Sequence, residues 1–549
     1  MTDEKPCLVP ARQGFSVFYK GRHLYSAYNP LDNCSRLVSS LTILPGSLIL
    51  IFSPLLGYGI QTLLDKIDGD SFIIAIETDK NLHDFSLPYL SMYENNPRFK
   101  YLYLTPDASG ISLAVNFLSS SVKKEKAFFP KRSITVNLSS ASIPAPFKDS
   151  LTRYIDLFID NFWKNRLTIT RMGRMYGRNI FKNLSGYSGS VRLKEGCIQK
   201  PFIVLGAGAS LEDLLKFLKI YSKRFFIICV DSAVYPLLEQ GIVPDMIIAV
   251  ECQLANLKAF IGSANSHIHL DADITSRPRI QSILKGQVSF FLSEYETSVF
   301  LDRLKNCLNI EVLPPLGSVG LAAAARALSL RYKSTPVFLS GLDFCYEPGK
   351  THCRSAPSHR TSLSSSTRIM PAGSSYGFYS RGTENCSIET AHLITDPALK
   401  NYALLFDDQF STQKNLYNLS PVSILQKITR IAIDDINSIC MKECAPLFPG
   451  EDENTRKEKF YTSIPKSIDT DIANFLNREK QGLENIKHCL IHGSLGKEEL
   501  LSLLLEHDYL YMHFPDGYKK PQMNEGFLKR IRAEIDFFLK DINSALGSI

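Results

Sequence analysis

Residues 201–258 constrain the fold of this 549-residue chain more than any other stretch. The apolar run Phe202–Leu205 meets Gly206-Ala207-Gly208-Ala209-Ser210, and leucines then recur at helical spacing. This pattern predicts a buried strand, a glycine turn and a helix. Two more predicted strands, 225–230 and 246–250, follow and end in polar residues. The alternation predicts a mostly parallel sheet covered by helices on both faces.

Polar side chains gather where these predicted strands end, which is the usual ligand edge of an open parallel sheet. Asp231 and Ser232 end the second strand, and Glu251 ends the third. Glycine lets the backbone approach a phosphate closely, and Ser210 stands where an N-cap belongs. A lone G-x-G is equally an ordinary strand-to-helix turn. Leu211 replaces the third glycine of the dinucleotide pattern, so neither NAD nor FAD is inferred.

A second candidate edge lies about a hundred residues further on. Gly317, Ser318 and Gly320 open a predicted helix rich in small residues, which leads into an apolar strand at 337–340. A helix start with exposed backbone N–H groups is an anion site. The polar residues that follow the strand are Asp343, Thr351 and His352.

Length and composition bound the function classes. The chain is too long for one core, so two or three domains are expected. A hydrophobic content of 44% indicates a globular protein, and a net charge of +7, spread along the chain, does not require nucleic acid. Twelve cysteines form no C-x-x-C pair, which favours reduced thiols in the cytoplasm. Residues 1–10 contain acidic side chains and no apolar segment, so no export signal is predicted.

Residues 37–64 contain no charged side chain, and a membrane-spanning helix needs about 20 apolar residues. Prolines and glycines interrupt this stretch, so it predicts a strand at 48–52, a turn and a helix instead. The next strand, 72–76, ends at Glu77. This arrangement mimics a nucleotide-binding fold, although structural glycines explain its turn more simply.

Helical spacing of apolar residues returns beyond residue 418. The residues that recur in this way are Ile424, Leu425, Ile428, Ile431, Phe527, Leu528, Ile531, Ile535, Phe538 and Ile542. They predict an α-helical C-terminal domain, whose apolar face is either its core or a groove for a partner. An earlier predicted helix carries a basic stripe formed by Arg171, Arg174 and Arg178. The stripe is either a solvated face of the helix or a contact for an acidic partner.

Four segments, in this order, resemble the motility accessory factor family: GAGASLEDL, VDSAVYPLLEQGIVPDMIIAVECQ, GSVGLAAAARALSL and FLSGLDFCYEPGKTH. That family is similar to bacterial sialyltransferases. Thr395-Asp396-Pro397, Tyr402 and Asn418-Leu419-Ser420 agree with it. The resemblance implies a multidomain α/β protein. The implied domains are a Rossmann-like N-terminal domain at 1–190, a central sialyltransferase-like parallel α/β nucleotide-sugar domain at 191–415 and an α-helical domain at 416–549.

The resemblance also implies a reaction. A nonulosonic acid, such as pseudaminic, legionaminic or a related sialic-like sugar, would pass from its CMP-activated form to serine or threonine of flagellin, without a required metal or other cofactor. The implied substrate-binding residues are Gly206, Gly208, Ser210, Asp231, Ser232, Gly317, Ser318, Gly320 and Thr351. Glu251, Asp343 and His352 are the candidate catalytic groups, because a carboxylate or an imidazole can accept the acceptor's proton. Related sialyltransferases usually carry asparagine where this chain has Ala207.

Other readings stay open. Asp271-Ala272-Asp273 fits the D-x-D pattern of metal-dependent glycosyltransferases, as a metal or substrate site. Proteins similar to the central domain include archaeal 6-hydroxymethylpterin diphosphokinases, which would place ATP and magnesium at the same edge. A non-catalytic flagellin-binding protein is the third class.

Residues 352–392 predict a long loop that acts as a lid or is disordered. Its arginines, whose guanidinium groups suit carboxylates and phosphates, are Arg354, Arg360, Arg368 and Arg381.

Overall fold

The computed structural model describes residues 5–124, 128–141, 143–295, 298–313, 317–371, 384–386, 393–443 and 460–549. Contacts divide the chain into two compact units. The first contains Met1–Arg171 and Phe514–Gln522, and the second contains Met172–His513 and Met523–Ile549. The three-part division at residues 190 and 415 stays a prediction.

The first unit contains a parallel and an antiparallel sheet. Its strands are β1 Cys7–Pro10, β2 Phe15–Tyr19, β3 Arg22–His23, β4 Ser47–Phe52, β5 Phe72–Glu77, β6 Phe99–Tyr103 and β7 Arg132–Val136. Its helices are α1 Pro30–Ser40, α2 Ile60–Lys66, α3 Lys80–Leu90, α4 Ala108–Ser119 and the first part of α5 Ala145–Leu184, which continues into the second unit. The parallel sheet has the order β6-β5-β4-β7.

The apolar run at residues 48–52 forms β4, and α2 follows it, as the sequence predicted. Every residue of β4 is buried, and an apolar cluster covers each face of the sheet. A parallel strand enclosed on both faces reads as a continuous apolar run, which explains the uncharged stretch. In the described part of the chain, no helix is long and apolar enough to cross a membrane.

The second unit contains the larger sheet. Its strands are β8 Val191–Leu193, β9 Phe202–Leu205, β10 Phe226–Val230, β11 Met246–Ala249, β12 His269–Asp273, β13 Val288–Ser293, β14 Glu311–Leu313, β15 Val337–Ser340, β16 Glu384–Asn385, β17 Ile394–Thr395, β18 Leu416–Asn418, β19 Thr429–Arg430 and β20 Tyr461–Ser463. Its helices include α6 Leu211–Tyr221, α7 Val234–Glu239, α8 Ile280–Ile283, α9 Val299–Leu308, α10 Val319–Leu330, α11 Pro357–Ser364, α12 Pro397–Phe410, α13 Ile436–Glu443, α14 Ile468–His492, α15 Lys497–Glu506 and α16 Glu525–Leu546.

Among the described residues, nine strands of the second unit form one parallel sheet in the order β14-β13-β12-β11-β10-β9-β15-β18-β19. The chain adds strands outward from β9 on one side and then returns to add β15, β18 and β19 on the other. The order therefore reverses between β9 and β15. This confirms the predicted mostly parallel α/β fold and sets its switch point.

The C-terminal region is helical, with α14, α15 and α16. The predicted apolar face of α16 is buried. The helical spacing from Ile424 to Ile431 was misleading, because this stretch leads into β19 instead. The backbone N–H groups of this stretch donate to groups outside it. Ile424 N donates to the carbonyl of Asp343, and the N–H groups of Gln426 and Lys427 donate to the Asp407 carboxylate.

The basic stripe has a structural role in its second half. Arg174 pairs with Glu534, and Arg178 Nε donates to Asp541 Oδ2 at 2.5 Å. Both carboxylates lie on α16 and are nearly inaccessible to solvent. These arginines therefore fasten the end of α5 to the last helix within the second unit.

Candidate functional site

Two turns meet at the switch point of the large sheet. One follows β9 and the other follows β15, and these strands are neighbours in parallel register. Gly206 N donates to the Ser340 carbonyl at 2.8 Å, and Gly208 N donates to the Gly341 carbonyl at 2.9 Å. The carboxyl ends of parallel strands at a switch point form the crevice in which ligands bind in this class of fold.

The two turns approach each other so closely that they need glycine at the points of contact. A Cβ atom on Gly206 would lie 2.2 Å from the carbonyl oxygen of Gly341, and one on Gly208 would lie 2.4 Å from Asp343 Oδ2. Gly341 itself has a φ of +69°. The sequence left open whether a phosphate or an ordinary strand-to-helix turn explains the G-x-G pattern, and the contact between the two turns already accounts for Gly206 and Gly208.

Asp343 anchors the first turn from the second. Its carboxylate accepts hydrogen bonds from Ser210 N at 3.0 Å, Ser210 Oγ at 2.5 Å and Ser420 Oγ at 2.7 Å. Ser210 Oγ also accepts a bond from Gly341 N at 2.8 Å. Burial raises the pKa of Asp343, and the serine hydrogen bonds oppose that shift. Asp343 and Ser210 thus hold the two turns together.

The start of α10 forms the opposite wall. Gly317 has a φ of +72°, and its Cα faces the ring of Tyr402, which a Cβ would approach to 3.1 Å. Ser318 follows with its hydroxyl buried and without a hydrogen-bond partner in the described part of the chain. Gly320 lets Leu342 pack close, since a Cβ there would lie 2.7 Å from Leu342 Cδ2. The first N–H groups of this 12-residue helix and the unused hydroxyl suit an anion.

A cavity of about 470 Å³ lies between these walls. The predicted site residues that line it are Gly206, Gly208, Ser232, Ser318, Gly320, Asp343, Thr351 and His352. Four other predicted residues, Ser210, Asp231, Glu251 and Gly317, are absent from the described lining. The lining also contains Phe344, Tyr346, Asp396 and Tyr402, which sequence reasoning did not single out as site residues. Asp396 and Tyr402 belong to segments whose only sequence signal was the family resemblance.

His352 is the titratable base of the cavity wall. It is half-buried, and its Nδ1 lies 3.1 Å from Thr351 Oγ1. Burial, followed by the charge of His359, lowers the pKa of His352. The imidazole is therefore neutral at neutral pH, which is the form that accepts a proton.

Asp231 and Glu251 lie at the ends of the next two strands. Asp231 is buried, and its Oδ1 accepts a hydrogen bond from Ser232 N at 2.6 Å. Burial raises the pKa of Asp231 to about 6, while hydrogen bonds oppose the shift. Glu251 is half-buried and accepts a bond from Gln253 N at 3.2 Å. Asp231 thus positions the backbone that presents Ser232.

Two asparagines of α5, which sequence reasoning missed, hold the loops after β11 and β12. Asn179 Nδ2 donates to the carbonyls of Cys252 and Thr275, and Asn183 Nδ2 donates to those of Ile274 and Ser276. Both side chains are about 1% exposed. Their i, i+4 spacing on an otherwise apolar helix face was the available signal.

The D-x-D motif of β12 is structural. Asp271 pairs with Arg326 at 2.7 Å, and Asp273 accepts bonds from Thr275 and Ser293. Both carboxylates are buried. Within the described ranges, no group of three or more His, Cys, Asp or Glu side chains is placed to hold a metal ion.

Two of the three described loop arginines lie beside carboxylates of other segments. Arg354 lies 3.8 Å from Glu212, and Arg360 pairs with Glu239. Arg368 is exposed, and Arg381 lies outside the described residues. The described part of the loop includes the short helix α11. The role of the loop as a lid stays a prediction.

The fold and the cavity define a doubly wound α/β protein with a ligand cleft at its switch point. Comparison with known proteins agrees. The family model described as 6-hydroxymethylpterin diphosphokinase MptE-like matches residues 176–349. An uncharacterized protein of Treponema pallidum (strain Nichols) is 29% identical over 560 residues, which cover 99% of this chain and 96% of that protein.

The structure of the Maf glycosyltransferase from Magnetospirillum magneticum AMB-1 is similar with a TM-score of 0.57 at 14% identity, over 99% of this chain and 90% of that one. The resemblance to the motility accessory factor proteins is thus confirmed in the fold, and the chain contains an MptE-like domain.

Proposed function

We propose that this protein is a cytoplasmic glycosyltransferase that moves a nonulosonic acid from a CMP-activated donor to serine or threonine of flagellin, in support of flagellar assembly. One observation carries the proposal: the start of α10 and the buried hydroxyl of Ser318, which has no partner among the described residues, face the Gly208 turn across one cavity. The similarity to the Maf glycosyltransferase fold supports it. An activated sugar phosphate would find both an anion site and a base there.

In the proposed reaction, the hydroxyl oxygen of the acceptor attacks the anomeric carbon of the sugar. The bond from that carbon to the phosphate oxygen breaks, and CMP leaves with the electron pair. The N–H groups at the start of α10 and the Ser318 hydroxyl stabilise the charge that develops on the departing phosphate. Neutral His352 accepts the proton of the attacking hydroxyl. Asp343 positions the Gly208 turn through its serine bonds.

The test of transfer uses the intact mass of flagellin. Cells that lack this protein should produce flagellin without the sugar mass, and the wild-type gene should restore it. His352→Gln should lower the rate of transfer by about a hundredfold or more, since general base catalysis contributes on that scale. The matched control is His492→Gln, which alters an exposed histidine at the end of α14. Unaltered flagellin mass without the gene would contradict transfer.

The pH dependence tests the role of His352. Because its pKa lies below the usual 6.5, the protonated fraction grows only when the pH falls below that lowered pKa. The kcat/KM for transfer should therefore be level at neutral pH and decline in acid. His352→Gln should remove this decline along with most of the rate. A rate that rises in acid would assign the proton transfer to another group.

A pterin diphosphokinase is the second candidate, because the MptE-like match spans residues 176–349 and thus includes both turns. It would bind ATP with magnesium at the same edge. Thermal shift of the full chain separates the two: stabilisation by CMP and not by ATP with magnesium favours the transferase, and the reverse favours the kinase. Nucleotide binding without any transfer would favour a non-catalytic flagellin-binding protein.

A further inference from the structure

Arg277, at the ligand edge of the large sheet, is an arginine whose side chain has no partner among the described residues. It lies in the segment after β12, and its backbone N donates at 3.1 Å to the carbonyl of Glu251 in the segment after β11. Its side chain is half-buried, with the Nε atom inaccessible to solvent. No described residue accepts a hydrogen bond from Nε or forms an ion pair with the guanidinium.

A buried guanidinium donor that has no acceptor is costly, and native proteins satisfy nearly all such groups. Arginine stays charged in proteins, so it cannot avoid the cost by losing its proton. The side chain is therefore in the state expected of a group whose partner is a ligand. Planar guanidinium forks match carboxylates and phosphates best.

The position of Arg277 is fixed from outside the cleft. Asn179 holds the carbonyls of Cys252 and Thr275, and Asn183 holds the carbonyl of Ser276, directly before Arg277. Two buried carboxamides thus set the loops that carry Glu251 and Arg277. A site built on such supported loops is pre-organised for its ligand.

Arg277 lies at the same edge of the large sheet as the cavity, beyond the residues that line the cavity. Ser232, Glu251 and Arg277 follow the successive strands β10, β11 and β12. The strand β12 is three strand spacings, roughly 14 Å, from β9. Tyr402 lines the cavity. Burial raises the pKa of Tyr402, and the nearby charges of Asp396 and Glu251 raise it further. The edge is thus continuous from the phosphate region toward Arg277.

An acidic sugar at this edge of the sheet would need a positively charged side chain, because the edge itself is negatively charged. The edge contains the carboxylates Asp231, Glu251 and Asp396, which would repel a carboxylate on the substrate. Two other cations near the cavity already have a carboxylate partner: Lys350 lies 3.1 Å from Glu212, which also attracts Arg354. Neither Arg277 nor the exposed Arg279 has a described side-chain partner, and Arg277 is the one whose Nε is inaccessible to solvent.

We propose that Arg277 binds the carboxylate of the sugar on the nucleotide donor and thereby selects acidic sugars. This rests on the proposed transferase function. The nucleotide phosphate occupies the start of α10, and the sugar lies along the ends of β10 to β12 with its carboxylate against the guanidinium. Arg277 is then a specificity-determining residue for the donor.

The test compares binding of two ligands to the full-length protein by calorimetry: CMP, and CMP-N-acetylneuraminic acid as a probe with a carboxylate. Wild type should bind the acidic sugar nucleotide at least tenfold more tightly than CMP. Arg277→Gln should weaken binding of the sugar nucleotide by tenfold or more and change CMP binding by less than twofold. Arg277→Lys should recover part of the loss, since it keeps the charge without the fork.

Arg279→Gln is the matched control, because Arg279 is exposed two residues further on and loses the same charge. It should bind both ligands as wild type does. Equal weakening of CMP and of the sugar nucleotide by Arg277→Gln, or no weakening of either, would overturn the assignment of the carboxylate. A wild-type protein that binds no cytidine nucleotide at all would instead contradict the proposed function itself.

Discussion

The two parallel sheets of this protein place glycine turns after a buried strand in two different ways. After β4 in the first unit, a Cβ on Gly57 would meet Leu90 at 3.1 Å and one on Gly59 would meet Val38 at 3.3 Å. After β9 in the second unit, Gly206 and Gly208 face the polar turn that follows β15. Similar glycine spacing therefore produces a packed turn in one sheet and the wall of a cavity in the other.

A buried acidic residue stands at the end of β5 in the first unit and of β10 in the second, and the two carboxylates have similar surroundings. Glu77 Oε1 accepts bonds from the N–H groups of Thr78 and Asp79, and Asp231 Oδ1 accepts one from Ser232 N. Burial raises the pKa of both carboxyl groups. The difference between the units therefore comes from what lies across the glycine turn, apolar helix side chains or a second strand end.

The largest effect is expected from Gly206→Ala. The new Cβ would lie 2.2 Å from a backbone oxygen, so the two turns must separate, and we expect a loss of about 3 kcal/mol in the free energy of unfolding. Urea unfolding measures this. Gly189→Ala is the matched control, because a Cβ there meets nothing within 4 Å. Equal stability of the two variants would contradict the close contact of the turns.

The next effect is the pH dependence that Asp231 contributes. Its folded pKa of about 6 lies above the unfolded value of about 3.9, so the folded state binds the proton more tightly. Its contribution, about 2–3 kcal/mol, is complete below pH 4 and is lost as the pH rises through 6. The stability of wild type relative to Asp231→Asn should fall over that window. Glu77→Gln in the first unit should show the same sign, and an opposite sign would contradict burial as the cause.

Ser318→Leu should act on binding alone. Its side chain would occupy the space before α10, so affinity for CMP should fall at least tenfold, about 1.4 kcal/mol, with little change in urea unfolding. Ser318→Ala keeps the space and should lose only a few-fold. Unchanged CMP affinity in the leucine variant would place the nucleotide elsewhere.

The smallest effect is expected from Gly59→Ala in the first unit. Gly59 has a φ of +84°, so alanine is strained by about 1 kcal/mol, and its Cβ would touch Val38. The measured loss should be well below that of Gly206→Ala, and CMP affinity should not change. A loss of CMP affinity would show that the two turns do not differ as described.

Features that depend only on residues close together in the chain could be predicted from the sequence. Buried apolar runs, glycine turns and the polar ends of β10 and β11 are local, and the structure contains each of them. Contacts across long separations were beyond such reasoning. Asp343 bonds to Ser210 over 133 residues and to Ser420 over 77, so its role as an anchor has no local pattern.

The helical spacing at residues 424–431 misled for the same reason. Spacing reports which side chains are apolar, whereas the carboxylate of Asp407 decides where the backbone donors go. Arg277 illustrates the opposite case. A single arginine after a short strand carries no signal in the sequence. Its importance appears only in the structure, where no described residue accepts a hydrogen bond from its Nε.

The central claim is that the Gly208 turn and the start of α10 hold one activated-sugar nucleotide between them. A crystal structure of the full-length protein with CMP tests this most directly. The account predicts density for the phosphate within hydrogen-bonding distance of Ser318 Oγ, inside the cavity lined by Gly208. An empty cavity, or CMP bound elsewhere on the protein, would contradict it.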